Sequence, residues 1–371
     1  MFTHRIWSYY RGLFGQREVA GLRDELRCID ELAWACYRPA REKAVAAGSV
    51  AAADVKEPPL VCFANEASPY VQGRTTLLDP HAQGISAIDI ERFGKALLQL
   101  PMPVVAVPWF QANHLPAAVL VAHEVGHAVE RDFGLEPVYT PVFAALPIAS
   151  DNRRAAWNAW RAELFADVYG LLCTGAAHAL ALLGYLADEA GVVSGERITG
   201  PNWGKYPSRH LRMLFNFATL DRLGLPDEGT RATWTAAYPS HAMFEFEDDI
   251  PKVVAAFLDT PLPPFGGSTL AGVTCLSGND WGQVRAQAQR IAHREALDPG
   301  RPFNQLFAAS TLAYHTDPRA YHDRDAALPV LASLAAAIPP GVRGKLPRAD
   351  QMQAQARADA DAGRALLALF D

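Results

Sequence analysis

The sequence predicts an α+β protein that is mainly α-helical, and three observations carry that prediction. Apolar residues recur at helical spacing over 19–46 and dominate the pattern again after residue 115. Only two short runs, LVCFA at 60–64 and PVVAVPWF at 103–110, have the apolar, β-branched character of strands. Half of the 371 residues are hydrophobic, enough to bury one large core or two smaller ones.

In chain order, the N-terminal MFTHRIWSYYRGLFGQR is basic and aromatic but lacks the unbroken apolar stretch of a secretory signal, so it reads as an arm packed on the domain. The helix over 19–46 ends in an Ala- and Pro-rich linker, AAGSVAAADVKEPP. Between the two strands, AIDIERFGKALLQL at 87–100 has helical spacing, giving the order strand, helix, strand, long helix. The apolar stretch at 168–187 has the length of a membrane span, yet it holds three glycines and a histidine and runs directly out of a charged helix. It reads as a buried core helix. Proline clusters at 259–267 and 297–303 set off a helical C-terminal region ending in an Ala-rich surface helix. Boundaries are therefore expected at 1–58 (N-terminal helical arm and linker), 59–258 (core) and 259–371 (C-terminal helices).

A net charge of −6, with no long Lys/Arg run, excludes a phosphate-tracking basic surface, so no nucleic-acid partner is expected. Five widely spaced cysteines without a C-x-x-C pair argue against a disulfide framework and against a cysteine zinc site. They read as buried thiols of a cytoplasmic protein, and membrane association is not expected.

The chemistry concentrates in VLVAHEVGHAVERDFG, residues 119–134. Pro116 suits the first turn of a helix and Gly134 its stop, so His123 and His127 lie one turn apart on one face. Imidazoles at that spacing can converge on one cation, and nitrogen ligates Zn²⁺ at about 2.0–2.1 Å. Glu124 projects beside them, placed to take a proton from a water rather than to join the ligands. Apolar neighbours on almost every side imply that the trio is at least partly buried.

A catalytic zinc usually takes three protein ligands and leaves one position open. In WNAWRAELFADVYGLL, residues 157–172, Glu163 and Asp167 are four apart within an apolar stripe. Burying two like charges is costly without a cation and favourable beside one. Glu163 is thus expected as the third ligand, and Asp167 as the acceptor for the outer N–H of a ligating histidine, His123.

With H-E-V-G-H at 123–127 and E-L-F-A-D at 163–167, the chain resembles the gluzincin metallopeptidases. It is most similar to their branch of CAAX-prenyl-protease-like and heat-shock membrane metallopeptidases. YPSRHLRM at 206–213 approximates that branch's H-P-S-x-x-x-R-I segment, with Tyr206 in place of histidine. The resemblance covers roughly residues 100–215. It implies a zincin-like core with a small sheet packed on the H-E-x-x-H helix, extended by extra helices at both ends. It also implies a Zn²⁺ cofactor, a peptide or protein substrate, and oxyanion stabilisation by Tyr206 or His210. Arg212 would steady the acidic residues around the metal, and the strand PVVAVPW would offer an edge to an extended substrate. The expected function is zinc-dependent peptide-bond hydrolysis with Glu124 as general base. The alternatives are a non-catalytic protein-binding or scaffold protein with a structural zinc, and a metal-free helical scaffold. The terminal regions would restrict access to the cleft or meet a regulatory protein partner.

Overall fold

The computed structural model describes residues 10–51, 57–65, 70–72, 103–195, 203–323 and 326–338, with positions 357, 360, 361 and 364. The helix expected at 87–100 and the C-terminal Ala-rich helix lie outside these residues, apart from those isolated positions.

Helix α1 (Ala20–Ala46) follows the predicted span closely and buries Leu26, Ile29, Leu32, Cys36 and Tyr37. Strand β1 (Leu60–Ala64) pairs in parallel with β3 (Val104–Pro108), and β2 (Tyr70–Gln72) pairs antiparallel with β3 from the other side. Among the described residues the order β1-β3-β2 corrects one expectation: PVVAVPW is the central strand with both of its edges occupied, and β1 and β2 are the outer strands. The outer edge of β1 is closed by side chains. The Gln16 amide donates to the Phe63 carbonyl (2.8 Å) and accepts from the Phe63 N–H (2.9 Å). Arg17 donates to the Val61 carbonyl (2.8 Å) while Asp30 accepts from the Val61 N–H (3.0 Å). Side chains thus satisfy backbone groups that an open edge would offer to another chain. They also dock Gln16 and Arg17 on the sheet, while residues 1–9 of the expected N-terminal arm lie outside the described residues.

The predicted helix after residue 115 arrives in two pieces, a turn at Leu115–Ala118 and α2 (Val121–Asp132). Between them, Val119 and Leu120 keep right-handed helical backbone. The Leu120, Ala122 and His123 N–H groups bond three residues back, so the turn is tightened rather than broken. The Asn113 N–H just upstream, at φ 66°, is held by the buried carboxylate of Glu25 at 2.9 and 3.0 Å. That contact fixes where the helix begins relative to α1.

Then come α3 (Glu136–Ala144) and α4 (Asp151–Thr174), the latter capped by the Ser150 side chain accepting from the Arg153 N–H. The apolar stretch 168–187 is buried from Val168 to Leu182 and again at Leu186, whereas Gly184, Tyr185 and Ala187 are exposed, and it is not one helix. Gly175, at φ 60°, turns the chain back into α5 (Ala176–Leu186), which packs against α4. A side chain there would meet the Trp281 ring at 2.9 Å, so glycine is required by space as well as by backbone. No helix among the described residues is long and apolar enough to cross a membrane.

Helices α6 (Arg209–Leu223), α7 (Thr230–Ala237) and α8 (Ile250–Asp259) close the far side of α4 and α5. Beyond them, α9 (Gly278–Ala292), α10 (Phe303–Thr316) and α11 (Ala327–Ala337) return to the first half, α10 touching α1 and α5 and α11 touching α1. One continuous apolar core runs from Leu26 to Leu334, so the segments on either side of residues 58 and 258 share it.

Helices α2 and α4 pack unusually close, and Gly126 is the reason. A Cβ on Gly126 would lie 2.9 Å from the Ala166 Cα and 3.0 Å from the Tyr169 Cβ. Because Ala166 presents backbone there, only separation of the helices could make room. Gly126→Ala is therefore expected to cost about 1–3 kcal/mol in denaturant unfolding despite the better helix propensity of alanine. A stability equal to wild type would mean that the two helices are not held in this contact.

Candidate metal centre

The close approach at Gly126 sets the two motif helices face to face, and their polar residues meet around one point. The His123 Nε2 lies 3.3 Å and the His127 Nε2 3.5 Å from the same oxygen, Oε2 of Glu163. The two rings stand at 90° with centroids 4.8 Å apart. Ligands about 2.0–2.1 Å from a tetrahedral cation are separated by roughly 3.3–3.4 Å, so these spacings fit a single ion. One ligand atom from each residue lies within 4.8 Å of the other two.

Electrostatics agree with the geometry. Burial would raise the Glu163 carboxyl, but the two histidines outweigh it and hold it far below the usual range. Burial would depress His123, yet hydrogen bonds to Asp167 and Glu163 lift it to about 9. In the metal-free chain His123 and Glu163 therefore pair as imidazolium and carboxylate, and a bound cation would take the place of the proton on His123 Nε2.

Behind His123 lies a support that is wholly buried. Its Nδ1 donates to Asp167 Oδ1 at 2.8 Å. Asp167 also receives Arg212 through both oxygens at 2.7 Å, the Asn216 amide at 3.2 Å, and His178 Nε2 at 3.4 Å. Burial opposes this charge, but Arg212 holds the Asp167 carboxyl well below its ordinary range. His123, Asp167 and His178 also bring ligand atoms within 4.8 Å of one another. Arg212 already supplies the positive charge there, and 2.8 Å is hydrogen-bond contact, so this second cluster is a support rather than a cation site.

On the open side is a cavity of about 950 Å³ bordered by His123, Glu124, His127, Glu163, Tyr206 and Arg212. Glu124 is 6% exposed and faces this space, and no hydrogen bond to another described residue holds its carboxylate. Tyr206 stands on the rim, where burial and the neighbouring Glu163 carboxylate push its phenol up to about 12. The hydroxyl therefore keeps its proton at neutral pH and can donate. The Arg212 guanidinium lies 5.6 Å from the centroid of the Tyr206 ring, linking the rim to the buried support. Pro207 and Ser208 shape this corner, the Ser208 hydroxyl capping α6 by accepting from the Leu211 N–H.

His210 is not brought to the cavity. On α6, Arg209 and Arg212 face the cavity, and His210 is turned away by the helical repeat. Its ring stacks on His241 at 4.4 Å and lies 6.1 Å from Trp234. Burial and then His241 hold its pKa down to about 4. Since the unfolded chain binds that proton near pH 6.5, this contribution to stability is complete above about 6.5 and is lost as pH falls toward 4. His210→Phe is expected to flatten the pH–stability curve over that interval, where one such group gives at most about 1.4 kcal/mol per pH unit. An unchanged slope in the variant would show that His210 is not the responsible group.

Four cysteines are buried as read, but Cys275 is exposed. Sequence reasoning missed His178, Asn216 and Gly126. Asn216 lies four residues after Arg212, and His178 interrupts an otherwise apolar helix, so each left a faint mark in the pattern. Comparison with protein-family models, curated proteins and solved structures finds no match.

Proposed function

We propose that the chain is a zinc-dependent peptidase of zincin-like core, hydrolysing amide bonds of a peptide or protein in the cavity beside α2. The observation that carries this reading is the single Glu163 oxygen facing both histidine Nε2 atoms at 3.3 and 3.5 Å. His123, His127 and Glu163 would hold the ion. Zinc, when bound, supplies Lewis acidity toward water and the scissile carbonyl.

The chain's own residues do the rest. Glu124, unanchored and facing the cavity, accepts the proton of the attacking water and passes it to the leaving amine. Tyr206, protonated and on the rim, donates to the oxygen on which negative charge develops. Asp167 fixes His123 through Nδ1 and leaves Nε2 for the metal. Among the described residues the edge left for an extended substrate is the outer one of β2, which contacts α2, rather than β3. A structural zinc has no use for an open cavity beside a carboxylate that has no hydrogen-bond partner among the described residues, which favours catalysis over scaffolding.

The test is incubation of zinc-loaded protein with an unbiased peptide library read by mass spectrometry. Cleavage should vanish on chelation and return with zinc. A fully zinc-loaded, folded chain that cuts nothing in peptides or denatured proteins would count against the catalytic reading.

A further inference from the structure

His178 has no part in the chemistry above, yet it is the only side chain of α5 that reaches the Asp167 carboxylate among the described residues. It is completely buried, and its ring lies parallel to that of His123, at 7° with centroids 6.2 Å apart. Its Nε2 points at Asp167 Oδ1, the oxygen that also takes His123 Nδ1 and an Arg212 nitrogen. Its Nδ1 has no partner among the described residues and rests over Gly170, where an added Cβ would lie only 2.6 Å away. A glycine in the interior of α4 thus makes the space that this imidazole occupies. A buried polar ring with one nitrogen unsatisfied costs stability relative to an apolar side chain. The orientation of the other nitrogen is what the position offers in exchange.

We infer that His178 is a positioning residue whose Nε2–H anchors the Asp167 carboxylate, so that Asp167 keeps His123 oriented with its Nε2 toward the metal position. The inference rests on the metallopeptidase reading. The Nε2–H tautomer follows from the geometry, because a bare Nε2 would set a lone pair against a carboxylate. Three donors on Oδ1 come from α2, α5 and α6, and they fix the carboxylate's rotation more firmly than Arg212 alone, which can follow it as a bidentate partner.

The test compares zinc affinity, by chelator competition, in wild type, His178→Leu and His178→Gln. Leucine fills the space without a donor, whereas the glutamine amide can present an N–H near the Nε2 position. Leucine should weaken zinc binding about 10–100-fold and glutamine should restore most of it. Gly170→Ala, which would displace the ring without changing its chemistry, should weaken binding in the same direction. Nitrogen-resolved NMR of the histidines in unmodified, metal-free protein should find His178 in the Nε2–H form, whatever the stability of the variants. Wild-type zinc affinity in folded His178→Leu, or an Nδ1–H tautomer in the native protein, would overturn the inference. A wild type that takes up no zinc would instead remove the metallopeptidase reading, and with it the metal half of this inference.

Discussion

Glu124→Gln is expected to keep its zinc and its fold while losing peptide hydrolysis by about 10²–10⁴-fold or more. Glutamine has nearly the same shape and can still hydrogen-bond to water, but it cannot take up a proton at neutral pH. The wild-type carboxylate makes no hydrogen bond to another described residue, so its replacement leaves no broken network behind. Zinc affinity within about twofold of wild type and an unchanged unfolding transition should accompany the loss of activity. A variant retaining more than a tenth of wild-type cleavage would remove Glu124 from the role of base.

Asp167→Ala is expected to have the opposite profile, with a large loss of stability. The carboxylate is wholly buried and receives Arg212 twice, along with His123, His178 and Asn216. Its removal strands a buried guanidinium and three further donors, and breaking one side of such a pair costs about 3–5 kcal/mol. Zinc affinity should fall as well, because His123 loses the partner that orients it. Pairing the change with Arg212→Leu should recover part of the stability, since the stranded charge goes with it, while zinc binding stays weak. Denaturant unfolding of the two single variants and the double variant measures this directly. Losses that simply add would mean that Asp167 and Arg212 act independently.

The two profiles differ because one carboxylate faces the cavity and the other is enclosed. The sequence distinguished them only in part. Apolar spacing around Glu163 and Asp167 placed both on one inward stripe of α4, where Asp167 is wholly buried and Glu163 only partly so, and the four-residue interval of His123 and His127 put them on one face of α2. Periodicity reports which face of a helix is buried, not what lies opposite. That Gly126 lets α2 and α4 approach until both histidines meet one Glu163 oxygen is a fact of packing.

Elements whose limits depend on local chemistry were legible almost to the residue. Helix α1 spans Ala20–Ala46 against an expected 19–46, and β1 coincides with the LVCFA run. Strand β2 went unread because three residues are too few to establish an alternation. The central place of β3 depends on that missing strand. His178 was visible only as an oddity in an apolar stretch, because the turn at Gly175 that folds α5 back beside Asp167 is tertiary. His210 misled for a related reason: nearness to Tyr206 in sequence does not survive the rotation of α6, which turns it toward His241.

All of these features bear on one claim, that His123, His127 and Glu163 share a zinc ion. X-ray absorption at the zinc edge of the purified, reconstituted chain addresses it most directly. The expected result is one zinc per chain with only nitrogen and oxygen neighbours, imidazoles among them, at about 2.0–2.1 Å. Zinc that fails to bind stoichiometrically, or that shows sulfur at about 2.3 Å from the cysteines, would contradict the claim.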